Sequence, residues 1–333
     1  MPVRNITVIG SLNADLVTVT PRMPLGGETL TASTFSTQRG GKGANQAVAC
    51  VRLSRPNPQN SRGANSPDFT VRMIGAVGSD SFGSDLISGL SGDGIDTTLI
   101  SVVQKEATGV AVILVEENTG ENRILLNPGA NHSLKASSFE DVASLGTPKP
   151  DLIILQLEIP LDTVLSIIKL AKVAGISVLL NPAPAVELPD EVFDGLDHLV
   201  VNESEAAILS HLKLEEVELE SMDWGAVTDA FLRKGVKNVI VTLGSKGAYF
   251  SNAAGKGGMA SAAKVQKVVD TTAAGDTFVS AYAVHILDQV QGEDSGQVDL
   301  GKAVEWACKA AGRTVEKAGA QNSIPWSHEI EPR

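Results

Sequence analysis

The chain has 333 residues, 43% of them apolar and 20% charged, with a formal net charge of −12. That is enough apolar chain for a large core, in two domains or in one large α/β domain. A protein that tracks nucleic-acid phosphates is ordinarily basic, so the acidic balance argues against a nucleic-acid partner. Backbone amides can still bind a small anion locally.

Cys50 and Cys308 sit in apolar helical contexts, and the sequence has no CxxC or Cys/His cluster. This argues against a disulfide scaffold or a zinc site and for reduced, buried thiols. The opening MPVRNITVIG runs straight into a strand, without the apolar segment of a signal peptide. No run approaches 18 apolar residues, so no membrane span is expected. The expected location is cytoplasmic, with nuclear residence left open.

In chain order, strands are predicted over 6–9, 71–77, 152–155, 177–180, 198–201 and 239–241. Helices are predicted over 44–53, 82–90, 161–174, 203–209, 224–233, 275–290 and 302–315. In the first helix Ala44, Ala47, Val48 and Val51 follow the spacing of one helix face. Strand–helix alternation of this kind implies a mostly parallel sheet covered on both sides. Residues 16–36 and 108–127 break the alternation and read as strand–turn–strand pieces. They predict a small separate sheet, from about 16–38 and 108–127, suited to a lid or a dimer contact; two decorative hairpins are the alternative. Residues 54–68 hold one apolar side chain, Ala64, and three prolines. Such a segment cannot offset its ordering entropy and reads as a surface insertion.

Polar residues follow five of the strands. Gly10-Ser11-Leu12-Asn13-Ala14-Asp15 follow the first; Gln156 and Glu158, Asn181, Asn202 and Glu205 follow the next three. Thr242-Leu243-Gly244-Ser245-Lys246-Gly247 follow the fifth. Ligands of parallel α/β sheets bind outside the carboxyl ends of strands, so five polar ends together point to one crevice. Each alone is equally a turn or a helix cap. RGGKGANQA (39–47) places three glycines and a lysine at a helix opening, where glycine permits close backbone approach and bare N–H groups attract anions. It is not a Walker A loop, because Lys42 precedes Gly43 and no Ser or Thr follows. TLGSKGAYF (242–250) is a second glycine loop, either a hairpin turn or a nucleotide contact.

VVDTTAAGDTF (268–278) sets the sharpest question. Small residues lead into a helix whose first amides, from Ala273 to Asp276, should face outward as an anion site. A carboxylate at its edge, Asp276, is able to accept a proton. An N-terminal cap, worth about 1 kcal/mol, is the competing reading, and this segment alone leaves both open.

Together these segments resemble the ribokinase family, the carbohydrate kinases of the ribokinase/PfkB type. The resemblance runs from about residue 3 to 326, interrupted mainly at 54–68. It rests on GGKGANQA and DTTAAGDTF, with GSLNAD, NPAPAVELPDE, VNESEA, VTLGSKG and KAGAQNSIPW adding detail. It implies a Rossmann-like central sheet flanked by helices with a small β lid, usually at a homodimer interface. It also implies ATP-dependent phosphorylation of D-ribose at the 5-hydroxyl, in ribose catabolism.

The resemblance carries roles position by position. Asn13, Ala14, Asp15, Gly41, Lys42, Gly43, Ala44, Asn45 and Glu158 match sugar-binding positions, where side chains that accept and donate suit a polyol. Asp276 matches the catalytic base on the attacking hydroxyl, and the amides of Ala273, Ala274 and Gly275 an anion hole. Asn202, Thr242, Leu243, Gly244, Ser245, Lys246, Gly247, Gly275, Asp276 and Cys308 match nucleotide-binding positions. Asn202 and Glu205 match the region that orders Mg²⁺ and phosphate, Glu205 acting through water. Asp270, Thr272, Thr314, Lys317, Gly319 and Ser323 match a K⁺ site, several of them through backbone carbonyls. Two positions depart from the family: Cys308 stands where a histidine often lies near adenine, and Asn322 replaces a frequent proline. The rival readings are a kinase of the same family acting on another sugar or a nucleoside, and a catalytically silent sugar- or nucleotide-binding regulator.

Overall fold

Thirteen strands and seven α-helices are seen in the computed structural model, which describes residues 3–58, 69–213, 215, 222–289 and 298–330. The strands are β1 (Arg4–Ile9), β2 (Asn13–Thr20), β3 (Thr34–Gly40), β4 (Phe69–Gly78), β5 (Asp96–Val103), β6 (Gly109–Glu116), β7 (Asn122–Asn127), β8 (Leu152–Leu155), β9 (Ser177–Leu180), β10 (His198–Asn202), β11 (Asn238–Thr242), β12 (Ala248–Asn252) and β13 (Gly257–Ala260). The helices are α1 (Lys42–Ser54), α2 (Ser81–Gly92), α3 (Leu161–Ala174), α4 (Glu203–Ser210), α5 (Trp224–Arg233), α6 (Ala274–Gln289) and α7 (Leu300–Thr314). Every predicted strand and helix falls on one of these. Residues 59–68 of the predicted insertion and Val290 lie outside the described residues.

Nine strands form one sheet in the order β13-β12-β11-β10-β9-β8-β1-β4-β5. Its members from β11 to β5 run parallel, and β12 and β13 close one edge antiparallel. The alternation of β-strand side chains divides the core in two. Ile6 and Val8 of β1 and Leu152 and Ile154 of β8 face α1, α6 and α7. Ile9, Ile153 and Leu155 face α3, α4 and α5. Both faces are therefore apolar, as a buried parallel sheet requires.

The helix at the centre of the sequence question is not amphipathic. Every residue of α6 from Asp276 to Leu287 is buried, because α6 lies between the sheet, α1 and α7. A helix covered on all sides has no need of a polar stripe.

The segments that broke the alternation form a second, four-stranded sheet in the order β3-β2-β6-β7. β2 enters it directly from the loop after β1, and β3 leaves it directly into α1, so the small sheet is hinged at the carboxyl end of the large one. It exposes Phe35, Ile124, Leu125 and Leu126.

Candidate active site

The site begins where β1 ends. Gly41 adopts φ 88°, and a Cβ there would lie 2.7 Å from the Asn13 amide nitrogen. Glycine thus lets the α1 terminus sit directly against the β1–β2 loop. Gly43 does the same one turn on, within 2.7 Å of Ser11 N by the same measure. This packing brings the first strand end, the GGKG segment and Glu158 together. Glu158 Oε2 accepts from Ser11 Oγ at 2.5 Å, Lys42 N at 3.2 Å and Asn13 Nδ2 at 3.4 Å. Asn13 Oδ1 in turn accepts from Asn131 Nδ2 at 2.8 Å.

Asp15 stands beside this cluster, buried, with no hydrogen-bond donor among the described residues. Gly40 makes room for it, since a Cβ at 40 would lie 2.1 Å from Asp15 Oδ2. Burial, with the charges of Glu158 and Asp276, pushes the Asp15 carboxyl up to about 7. A buried carboxylate with no donor among the described residues is suited to accept hydroxyl groups from outside. Burial opposes the charge of Lys42, but Asp276, Glu158 and Glu205 more than offset it and raise its pKa.

Asp276 is held from both sides by α1. Asn45 Nδ2 donates to Oδ2 and Gln46 Nε2 to Oδ1, each at 3.0 Å. Immediately before it, Ala273 takes the left-handed φ of 60°, a conformation costing an L-residue about 1–2 kcal/mol. The N–H groups of Ala273, Gly275 and Asp276 have no protein acceptor among the described residues and line a polar cavity. Ala274 departs from the expected row of outward amides. Its N–H closes a turn onto Thr271 O at 3.2 Å, and the residue lines the neighbouring apolar cavity instead. The kink at Ala273 is the reason: it turns the chain so that amides on either side of 274, not 274 itself, reach the polar space.

That polar cavity, about 190 Å³, is bounded by Lys42, Asn181, Asn202, Glu205, Thr242 and Asp276. Asn202 and Glu205 form a capping box on α4: Glu205 N donates to Asn202 Oδ1 at 2.8 Å and Asn202 N to Glu205 Oε2 at 2.9 Å. Burial raises the Glu205 pKa, against the Asn202 amide and Lys42, which lower it. A cap and a cavity wall are therefore the same two residues. Such an under-compensated carboxylate, beside a cavity rich in oxygen ligands, fits a hydrated Mg²⁺.

An apolar cavity of about 490 Å³ adjoins, sharing Thr242, Thr271 and Gly275 with the polar one. Ala263, Val265, Val268, Phe278, Ala311 and Val315 form its walls, with Gly244, Ser245 and Gly247 at its rim. The 242–250 segment is thus both a β11–β12 hairpin and a cavity lip. Two residues of this loop turn elsewhere: Leu243 packs in the core against β11, and Lys246 Nζ lies 3.8 Å from Glu203. Alternation along the chain sends Leu243 inward while its neighbours face the cavity. Cys308 lines the apolar cavity, and burial pushes its thiol up to about 11. It contributes a neutral, apolar surface where an imidazole would have offered hydrogen bonds.

The residues matched to a K⁺ site converge on Asp270. Its Oδ1 accepts from Thr272 N and its Oδ2 from Gly319 N, both at 2.9 Å. The loops 270–272 and 314–323 are thereby tied together by a carboxylate, a hard oxygen donor of the kind that fits a monovalent cation. Two side chains point away from it: Thr314 Oγ1 donates to Ala310 O and bonds Thr277 Oγ1, and Lys317 Nζ pairs with Glu329 at 2.7 Å. Among the described residues no group of three His, Cys, Asp or Glu side chains could chelate a metal.

Several residues here escaped sequence reasoning. Gln46, Asn131 and Thr271 were given no role, although buried polar residues inside the apolar GGKGANQA helix and the PGAN segment were the available signal.

A doubly wound α/β sheet whose carboxyl edge joins a carboxylate-rich pocket, a helix terminus with free amides and an apolar slot has the architecture of a small-molecule kinase. The chain matches pfkB family carbohydrate kinases over residues 3–327 and belongs to that family. It is similar to the ribokinase of Schizosaccharomyces pombe, 43% identical over 98% of this chain and 96% of that protein. It is also similar to the deoxyribokinase of Salmonella typhi, at 38% over 96% and 95% of the two chains. Among solved structures, the Arabidopsis thaliana ribokinase complexed with ribose and ATP superposes with a TM-score of 0.81, at 30% identity and 98% and 97% coverage. No helix among the described residues is long and apolar enough to cross a membrane.

Proposed function

We propose that this chain transfers the γ-phosphoryl group of ATP to the 5-hydroxyl of D-ribose, a step of ribose catabolism. The observation that carries the reading is Asp276. It is gripped by Asn45 and Gln46 and stands between an unsatisfied polar pocket and an anion-binding cavity. The ribokinase relatives, one of them with ribose and ATP bound, support ribose as acceptor and ATP as donor.

In this account Asp15, Asn13, Glu158, Lys42 and Asn45 hold the sugar, the adenosine lies in the apolar cavity, and the phosphates run along the polar one. Asp276 takes the proton of the 5-hydroxyl as its oxygen bonds to the γ-phosphorus and the bond to the β-phosphate oxygen breaks, releasing ADP. The amides of Ala273, Gly275 and Asp276, with Lys42, stabilise the charge on the transferring group. Mg²⁺ would be held by Glu205 and Asn202 through water, where it supplies charge neutralisation on the phosphates. K⁺ would be held by the Asp270 loop and would fix the Ala273 kink nearby. Closure of the small sheet over the sugar would exclude water and so limit idle ATP hydrolysis. Its exposed Phe35, Ile124, Leu125 and Leu126 support a homodimer formed through that sheet.

The 38% identity to a deoxyribokinase favours 2-deoxy-D-ribose as the second acceptor to consider. The test of the mechanism is Asp276→Asn. It keeps the size of the side chain and removes the base, so kcat should fall by about 10²–10⁴-fold or more. Near-normal turnover in a folded variant would sink the assignment.

A further inference from the structure

We infer that Gln46 is a positioning residue for the reaction: a buried chain of amides, anchored on backbone, forces Gln46 to present its NH₂ to Asp276. The inference rests on the reading of Asp276 as the base.

The direction of each amide in the chain is fixed by the next. Asn181 Nδ2 donates to Val200 O at 3.0 Å. A carbonyl can only accept, so Asn181 must turn its Oδ1 the other way. That oxygen meets Gln46 Nε2 at 3.1 Å, and the same Nε2 reaches Asp276 Oδ1 at 3.0 Å. On the far side of the amide, Gln46 Oε1 accepts from Gln156 Nε2 at 2.6 Å. A flipped Gln46 would set oxygen against oxygen at both Asn181 and Asp276. The backbone of Gln46 is also pinned, because Ser280 Oγ of α6 donates to its carbonyl at 2.9 Å. Gln46, Gln156 and Asp276 are all buried, so water does not compete for these bonds.

The consequence is chemical. With one amide donor on each oxygen, the carboxylate of Asp276 cannot rotate, and a lone pair stays directed at the acceptor hydroxyl.

The experiment is the steady-state kcat and KM for D-ribose, at saturating MgATP, for the parent, Gln156→Leu, Gln46→Leu and Gln46→Glu. Gln46→Leu should lower kcat by about 10–10²-fold, the scale of a slightly misplaced reacting group. It should leave the KM for ribose within about threefold, so that the loss falls on kcat. Gln156→Leu, which leaves the donor held by Asn181 and Asp276 and removes only the restraint on Gln46 Oε1, should act in the same direction and less. Gln46→Glu keeps the shape of the side chain and covers the case in which the leucine variant does not fold; it should lose more activity than Gln156→Leu. An unchanged kcat in a folded Gln46 variant, or a loss that falls on KM instead, would overturn the inference. Asp276→Asn separates the two claims. If that variant is inactive while Gln46→Leu behaves as the parent, only the positioning role fails; if Asp276→Asn turns over normally, the base itself is misassigned.

Discussion

Asp15 should cost the free protein stability, and replacing it should return that stability in a pH-dependent way. Burial and two neighbouring carboxylates raise its pKa from 3.8 to about 7. At about 1.4 kcal/mol per pH unit, this corresponds to about 4 kcal/mol against the ionised form. The folded state then binds the proton more tightly than the unfolded state. Stability therefore falls as pH rises from about 4 to about 7, and the full cost is present above that range. Asp15→Asn removes the charge while keeping the shape. At pH 8 it should stabilise the ligand-free protein by up to about 4 kcal/mol, and at pH 5 by about 1.5 kcal/mol. Any fixed effect of the amide on packing is the same at both pH values, so the difference of about 2.5 kcal/mol isolates the carboxylate. Urea unfolding of both proteins at pH 5 and pH 8 measures it, and calorimetric titration should show that the variant has lost its affinity for ribose. Equal stability changes at the two pH values, or a larger gain at pH 5, would refute the reasoning.

Two further outcomes follow from the geometry. Gly40→Ala places a methyl group 2.1 Å from Asp15 Oδ2, so the carboxylate must move aside; KM for ribose should rise by about 10²-fold in steady-state assays, with a thermal midpoint close to the parent's. The side chains deep in the apolar cavity carry no donor or acceptor for a base edge beyond the weak Cys308 thiol, Thr242, Ser245 and Thr271 being its polar members. Apolar pockets discriminate only about 10–200-fold, so GTP or ITP should support turnover with kcat/KM within about 10²-fold of ATP. A preference for ATP of 10⁴-fold or more would contradict this.

What could be read from the chain alone was local. Strand and helix periods, the glycines that open α1 and the polar strand ends depend on neighbours within a few residues, and three of those ends, at Asn181, Asn202 and Thr242, border one cavity. The small sheet was also legible, because 16–36 and 108–127 each set β-rich arms about a run of turn residues. The membership of β5, β12 and β13 in the main sheet was not, since each is assigned by pairing rather than by pattern. The roles of Gln46 and Asn131 were hidden for the same reason: Gln46 meets Asp276 across 230 positions of sequence, and Asn131 meets Asn13 across 118. At Asn202 and Glu205 the alternatives of a helix cap and a cavity wall do not compete, because the capping box also walls the cavity. The inward turn of Ala274 depended on the left-handed kink at Ala273, which nothing in an Ala-Ala-Gly run announces.

The account turns on ribose as the acceptor. A coupled ADP-release assay with D-ribose, 2-deoxy-D-ribose, D-fructose and adenosine, at saturating MgATP with and without K⁺, tests it most directly. The account predicts the highest kcat/KM for D-ribose and faster turnover with K⁺. A clear preference for adenosine, fructose or 2-deoxyribose would contradict it.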